Sequence, residues 1–288
     1  EMGYQNWTKG FETLFEEEYG YDLYPFLPLL AGRLVEDVNT SDAVYDDYRG
    51  LVSHLFSENY IHRFEELCHE HNMKSYVEPY GLGPLDDLTV GGYCDIPMGE
   101  FWMDGRYKVS EAVQSAHTYG KPIISAESFT SWRDLNWKAH PYVLKSVGDG
   151  GWARGINEFM FHRYAHQANP HVAPGMTMSG IGSHIDGTQT WWLNAGKAWM
   201  KYIQRGSYLL RQGVPVSDVL VYVGEQSPHT VPQRDEIDLP YGYNFDSCDT
   251  TVLMERLSVK DTMSLRPEGT TYSVLILRNC EQLSFATL

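Results

Sequence analysis

Four short segments of the chain each end an apolar, strand-like run on an acid or a histidine. They are Lys74-Ser-Tyr-Val-Glu78, Cys94-Asp-Ile-Pro-Met-Gly-Glu100-Phe-Trp102, Pro122-Ile-Ile-Ser-Ala-Glu127 and Ile156-Asn-Glu-Phe-Met-Phe-His162. Carboxylates gathered at one place can divide acid and base work between them, because burial and mutual repulsion separate their proton affinities. Aromatic residues beside them, here Phe101 and Trp102, suit the stacking of pyranose faces. The chemistry these types suggest is glycoside hydrolysis by paired carboxylates.

Stretches of helical periodicity separate the four segments. Strand, polar residue, helix, next strand is how a (β/α) barrel presents its chemistry, at the C-terminal ends of the strands. Thr8 reads as the N-cap of a first helix with Phe11, Leu14 and Phe15 inward, and Leu23–Leu30 as a short helix and turn. Residues 41–71 form a long amphipathic stretch with Tyr45, Tyr48, Leu51, Leu55, Tyr60, Phe64 and Leu67 on one face. Strands are expected over 74–78, 93–100, 122–126 and 156–162, helices over 109–119 and 141–154, and a loop over 81–92. A long loop over 166–188 precedes a helix over 191–211, and loops of that length usually carry function.

At Gly213-Val-Pro215 the pattern restarts, with strands over 219–223 and 272–277 around a helix over 250–257. The fold class expected is therefore α/β. Residues 1–212 read as the C-terminal part of a (β/α)8 TIM-like barrel, and 213–288 as the start of a flavodoxin-like or amidotransferase-like α/β domain. Counting a strand that ends at Glu1, the first part holds about five βα units, fewer than a barrel needs. The remainder is expected before Glu1, which makes the chain an internal fragment of a longer protein.

Net charge is −16, from 38 acids against 22 bases, with no basic stripe. Nucleic acid is thus not an expected partner, since neutralising phosphates takes clustered Lys and Arg. Apolar runs such as Val219–Val223 are too short to span a bilayer. Cys68, Cys94, Cys248 and Cys280 form no C-x-x-C pair, and Cys68 and Cys94 read as buried thiols. G-x-G-x-x-G, P-loop and G-x-S-x-G motifs are absent.

Among the candidates, Glu127 and Glu100 follow short apolar runs and should face the barrel mouth. Glu78 has the same placement beside Pro79, whereas Glu158 should point away. His162 and His166 are four apart, but with no Glu after the first His they lack H-E-x-x-H zinc mechanics. They fit better as partners for substrate hydroxyls. His184, Asp186 and Trp191, in and after the long loop, are further candidates for lining the cleft.

Several segments resemble one family. Glu1-Met-Gly-Tyr-Gln-Asn-Trp-Thr8, Tyr19-Gly-Tyr-Asp22, Pro97-Met-Gly-Glu-Phe-Trp102, Tyr119-Gly-Lys-Pro122, Ala126-Glu-Ser-Phe-Thr130, Phe161-His-Arg-Tyr-Ala-His-Gln167 and Pro174-Gly-Met-Thr-Met178 are similar to glycoside hydrolase family 106, the α-L-rhamnosidases. The resemblance implies an inverting, calcium-assisted glycosidase, secreted or periplasmic, acting on oligo- or polysaccharides of plants or algae. It places Glu1, Glu100 and Glu127 at the catalytic positions, with Glu1 as general acid, Glu127 as general base and Glu100 assisting or exchanging roles with them. The Ca²⁺ ligands remain unassigned. Asn169-Pro170-His171 stands where a Pro-Trp is expected, and Gly187 where an Arg is expected. Both bear on substrate preference rather than reaction class. Two other readings remain: a retaining, β-galactosidase-like barrel glycosidase, and a non-catalytic carbohydrate-binding relative.

Overall fold

The computed structural model of the protein describes residues 6–81, 83–169, 171, 180–185, 192, 196–259, 262–265, 269–278, 280, 283–284 and 287. Helix α1 (Phe11–Tyr19) is not capped by Thr8. It begins after Gly10, whose φ of 81° is a backbone state that glycine tolerates best. Phe11 and Phe15 pack against Tyr48 and Leu51 of helix α2 (Val38–Phe56), which Asp37 caps by accepting from Thr40 N–H at 2.9 Å. The long helix expected over 41–71 is interrupted: Ser57–His62 widen into a π turn before α3 (Arg63–Glu70). That turn rotates the apolar stripe, so Ile61 is buried while Tyr60, Phe64 and Leu67 are exposed.

The chain then alternates strand and helix: β1 (Tyr76–Val77), α4 (Asp87–Tyr93), β2 (Ile96–Trp102), β3 (Tyr107–Lys108), α5 (Ser110–Tyr119), β4 (Ser125–Thr130), α6 (Pro141–Trp152), β5 (Glu158–Phe161) and α7 (Gly196–Leu210). The result is a mixed α/β fold. Strands β1, β2, β4 and β5 are parallel neighbours in that order, and β3 returns antiparallel on β2. Helix α4 occupies part of the loop expected over 81–92. Its Gly91 and Gly92 read as turn residues, but they let α4 approach α5. A Cβ on Gly91 would lie 2.2 Å from Ser115 Oγ, and one on Gly92 2.5 Å from the Tyr119 ring.

The main core lies between the sheet and α5, α6 and α7, around Phe101, Ala126, Phe129, Leu144, Ile156 and Trp199. Phe101 meets Phe129 edge to face at 5.0 Å and Phe159 at 5.5 Å. Helix α6 closes over these rings through Gly148 and Gly151. A Cβ at either would stand 3.1 Å from Phe129 or Phe101.

Beyond α7 follow β6 (Val219–Tyr222), β7 (Phe245–Cys248), β8 (Leu257–Val259), β9 (Met263–Leu265), β10 (Thr271–Tyr272) and β11 (Val274–Leu277). Strands β11, β6 and β7 form a parallel sheet in that order, and β10, β9 and β8 an antiparallel one. The helix expected over 250–257 is a single π turn, Val252–Arg256. Strand β7 was not expected, because Phe-Asp-Ser-Cys reads as half polar. Its Asp246 is nonetheless buried and satisfied, 2.8 Å from His117 Nδ1 of α5 and accepting from Tyr272 Oη at 3.0 Å. Asp249 accepts from Tyr119 Oη at 2.6 Å and Thr89 Oγ1 at 3.1 Å, so this sheet is fastened to α4 and α5. Strand β11, expected to be buried, exposes Val274, Leu275 and Leu277. All four cysteines are free thiols, with Cys68 and Cys94 buried as expected.

Gly99 in β2 has no room for a side chain. A Cβ there would stand 2.7 Å from the Lys108 carbonyl oxygen and 2.8 Å from Val109 Cα, both of them backbone. Gly99→Ala is expected to destabilise the fold by about 1–3 kcal/mol, the usual range for overpacking. Urea unfolding followed by tryptophan fluorescence checks this, and an unchanged midpoint would mean that the β2–β3 hairpin yields.

Candidate active site

Strand register sets the site. Strands β2 and β4 pair with Glu100 opposite Glu127, and β4 pairs with β5 so that Glu127 is level with Met160. Alternation along each strand puts Met98, Glu100, Ser125 and Glu127 on one face and Phe101 and Ala126 on the other, against the helices. Phe101 is fully buried on that helix side, so it is no sugar platform. The strands also continue past the two acids, to Trp102 and Thr130, rather than ending on them. Glu158 lies level with Ser125, on the same face as Glu127 but lower. There it accepts from Arg211 at 2.7 Å and Tyr76 Oη at 3.1 Å.

A bulge shapes the upper end of β4. Phe101 is level with Ser128 but Trp102 with Thr130, so Phe129 is the extra residue, and its φ is 67°. Such a backbone state costs a bulky residue about 1–3 kcal/mol, which the fully buried phenyl ring offsets. Past the bulge, the Thr130 hydroxyl donates to Glu127 Oε1 in a short hydrogen bond. His162, just after β5, places Nδ1 3.3 Å from Thr130 Oγ1 and 3.5 Å from Glu127 Oε1. Because Thr130 gives its one proton to Glu127, Nδ1 must carry the proton in the 3.3 Å contact, which leaves Nε2 as an acceptor. Burial lowers the His162 pKa below its ordinary value, with Glu127 opposing, so the ring is neutral at neutral pH.

Glu100 accepts from Trp102 Nε1 at 3.0 Å. Arg106 covers one face of Trp102, with Cζ 4.2 Å from the ring centroid, and Trp132 leans on it at 4.8 Å. Trp102 thus orients Glu100, and the open ring at this rim is Trp132, 50% exposed. Glu78, just past β1, is partly buried near Tyr80. Burial first, then the charges of Glu127 and Glu100, push its pKa up to about 7. Burial and the same three carboxylates raise the Tyr80 hydroxyl as well. Lys108, cross-strand from Glu100, lies 5.3 Å from the Tyr80 ring and is tied to the buried Glu111 at 3.0 Å.

The structure therefore brings together Glu78, Glu100, Glu127, Trp102 and His162. His166 is exposed and shares no hydrogen bond or ion pair with these carboxylates among the described residues. His184 is buried, 1% exposed and 5.0 Å from the Trp137 ring. Burial and the nearby Arg163 and His162 lower its pKa. Glu1, Asp186 and Trp191 lie outside the described residues. Thr130, Tyr80, Arg106 and Trp132 join the site without having been expected. The Ser-Phe-Thr that follows Glu127 was the one hint in the sequence.

The α-L-rhamnosidase family model of the glycoside hydrolases matches residues 1–288. The chain belongs to this family. It is similar to a rhamnosidase of Novosphingobium sp. PP1Y of known structure, with a TM-score of 0.83 and 27% identity. That match covers 98% of this chain and 28% of the other. It is also 41% identical over 291 residues to a protein of Formosa agariphila provisionally named a beta-glucuronidase, covering 100% of this chain and 24% of that one. The chain thus spans about a quarter of the length of these relatives.

Calcium, which the family resemblance implies, takes about six to eight oxygen ligands. In this family member the mouth offers the oxygens of Glu78, Glu100 and Glu127, and two of these side chains are already engaged by Trp102 and Thr130. Among the described residues, the trio of His, Asp or Glu side chains with ligand atoms within 4.8 Å of one another is Glu65, His69 and Asp95, near the opposite ends of the strands. The carboxylates of Glu78, Glu100 and Glu127 alone do not supply the roughly six to eight oxygens that calcium takes.

The raised pKa of Glu78 carries a stability signature. The unfolded carboxyl ionises near 4.5 and the folded one near 7, so the stability from protonated Glu78 is present at low pH. It is lost as pH rises through that window. Glu78→Gln should therefore stabilise the protein at pH 8, by about 1–2 kcal/mol, and leave it unchanged at pH 4. Thermal midpoints at the two pH values test this; equal shifts at both would show that Glu78 is not held protonated.

Proposed function

We propose that this chain supplies part of the active site of an inverting glycosidase that removes terminal α-L-rhamnosyl residues from plant or algal oligo- or polysaccharides. The supporting observation is Glu127 level with Glu100 and held by Thr130 and His162. In this reading the four parallel strands are an arc of a (β/α)8 TIM-like barrel, and β6, β7 and β11 open a flavodoxin-like domain, with the boundary near residue 212. A secreted or periplasmic location follows from polymeric substrates. No helix of the described residues is long and apolar enough to cross a membrane.

Glu127 acts as general base. Thr130 and His162 both address Oε1, which leaves Oε2 for a water molecule. As the water oxygen attacks the anomeric carbon, its proton passes to Oε2. The glycosidic C–O bond breaks on the opposite face, and the leaving oxygen takes a proton from the general acid, assigned to Glu1. An inverting pair stands about 6.5–9.5 Å apart to admit that water. Glu100, oriented by Trp102, stabilises positive charge developing on the sugar ring. His162 offers Nε2 to a sugar hydroxyl, and Glu78, its pKa pushed up to about 7, can donate to another in its protonated form. Calcium remains a proposal drawn from the family resemblance.

The test uses the full-length protein and follows hydrolysis of an aryl α-L-rhamnoside by proton NMR, with and without chelator. An aryl β-glucuronide runs beside it, because of the name of the Formosa relative. Release of β-rhamnose first, reduced about a thousandfold in Glu127→Gln, is the expected result. A retained anomer, or turnover of the glucuronide alone, would overturn the assignment.

A further inference from the structure

The β2–β3 hairpin turns through Met103-Asp104-Gly105-Arg106 at the rim above Glu100. It is pinned there by Met103 N–H donating to the Thr130 carbonyl at 2.8 Å. Gly105, at φ 90°, makes the tight reversal that lets Asp104 and Arg106 meet. Asp104 accepts from Arg106 Nε at 3.0–3.1 Å and lies 3.0 Å from Nη2. The guanidinium is held over Trp102 and stands 5.9 Å from the Trp132 centroid. Its Nη1 edge, with two N–H groups, meets no acceptor among the described residues. Beside it Trp132 is half exposed, while the Trp102 N–H is committed to Glu100. An open aromatic face and the solvent-exposed edge of a guanidinium whose other edge pairs with Asp104 thus lie together, one side chain away from Glu100.

The floor of this mouth is Glu78, Glu100 and Glu127, in a chain of net charge −16. A sugar bearing a negative charge is repelled by that floor unless a cation meets its charged group at the rim. Arginine can supply that cation, because its planar fork pairs with the oxygens of an oxyanion and stacks on aromatic rings at the same time. We propose that Arg106 and Trp132 form a subsite for the sugar adjoining the scissile bond, one that prefers a residue carrying an anionic group to a neutral residue. The shared chemistry is an oxyanion on a pyranose, supplied by a uronate carboxylate or a sulfate ester. The proposal deepens the glycosidase reading above and rests on it for the position of the scissile bond.

Binding is measured on the full-length Glu127→Gln protein by saturation-transfer NMR titration at low salt, so that turnover plays no part. The probes are methyl glucuronide, glucose 6-sulfate and methyl glucoside. At least one charged probe should bind about tenfold tighter than the neutral one, a typical effect of a charge-assisted pair. Arg106→Gln should abolish that preference, Arg106→Lys should keep part of it, and Trp132→Ala should weaken all three probes. Preference for the glucuronide alone identifies a carboxylate, and for the sulfate alone a sulfate ester. Equal binding of charged and neutral probes, or a preference unchanged in Arg106→Gln, overturns the proposal. The outcome is separable from the parent reading: failure to hydrolyse rhamnosides would sink the reaction assignment and leave this preference measurable.

Discussion

Like charges on neighbouring strands repel, and Glu100 stays level with Glu127 because the other face of the same strands is clamped by phenyl rings. Two charges about 5 Å apart at a surface-like dielectric repel by on the order of 3 kcal/mol. Each buried phenylalanine stabilises by about 1.5–3 kcal/mol, and Phe101, Phe129 and Phe159 all touch one another. Packing outweighs repulsion. The register that it fixes, Phe101 with Ser128 and Glu100 with Glu127, is what makes a shared carboxylate site from two strands.

The bulge at Phe129 shows the same packing put to a second use. A regular strand would pass Thr130 on without turning it toward Glu127. One residue in the left-handed region brings the hydroxyl onto Oε1, and with it the hydrogen-bonded His162. A single buried ring therefore supports both the level of the base and the direction in which its free oxygen points.

What was legible in the sequence was the alternation of strand and helix and the acids that follow apolar runs. These signals are local and periodic. Glu100, Glu127, Glu78 and His162 could be singled out because each closes such a run. Helix α4 was hidden by Gly91 and Gly92, whose role is close approach to α5 rather than a turn. Strand β7 was hidden by Asp246, a polar residue made burial-compatible by His117 and Tyr272, both distant in sequence. The π turn after α2 altered which aromatic residues are buried, and periodicity alone carries no sign of it. Trp102 reads as a platform in the sequence because its partner Arg106 lies across a hairpin, and Thr130 carries no local signal because its direction depends on a bulge.

Gly148 and Gly151 face Phe129 and Phe101 across the helix–sheet boundary, each with no slack for a methyl group unless a ring shifts. The pairing reaches beyond stability. Those rings belong to the strands that carry the two carboxylates, so a larger residue in α6 would have to be accommodated by a smaller one in β2 or β4. Variation at these sites is therefore tied together: in related sequences, bulk lost from the strand and bulk gained on the helix should arise as joint exchanges. Substitution in a helix that touches no sugar is thus governed by chemistry on the far side of the sheet.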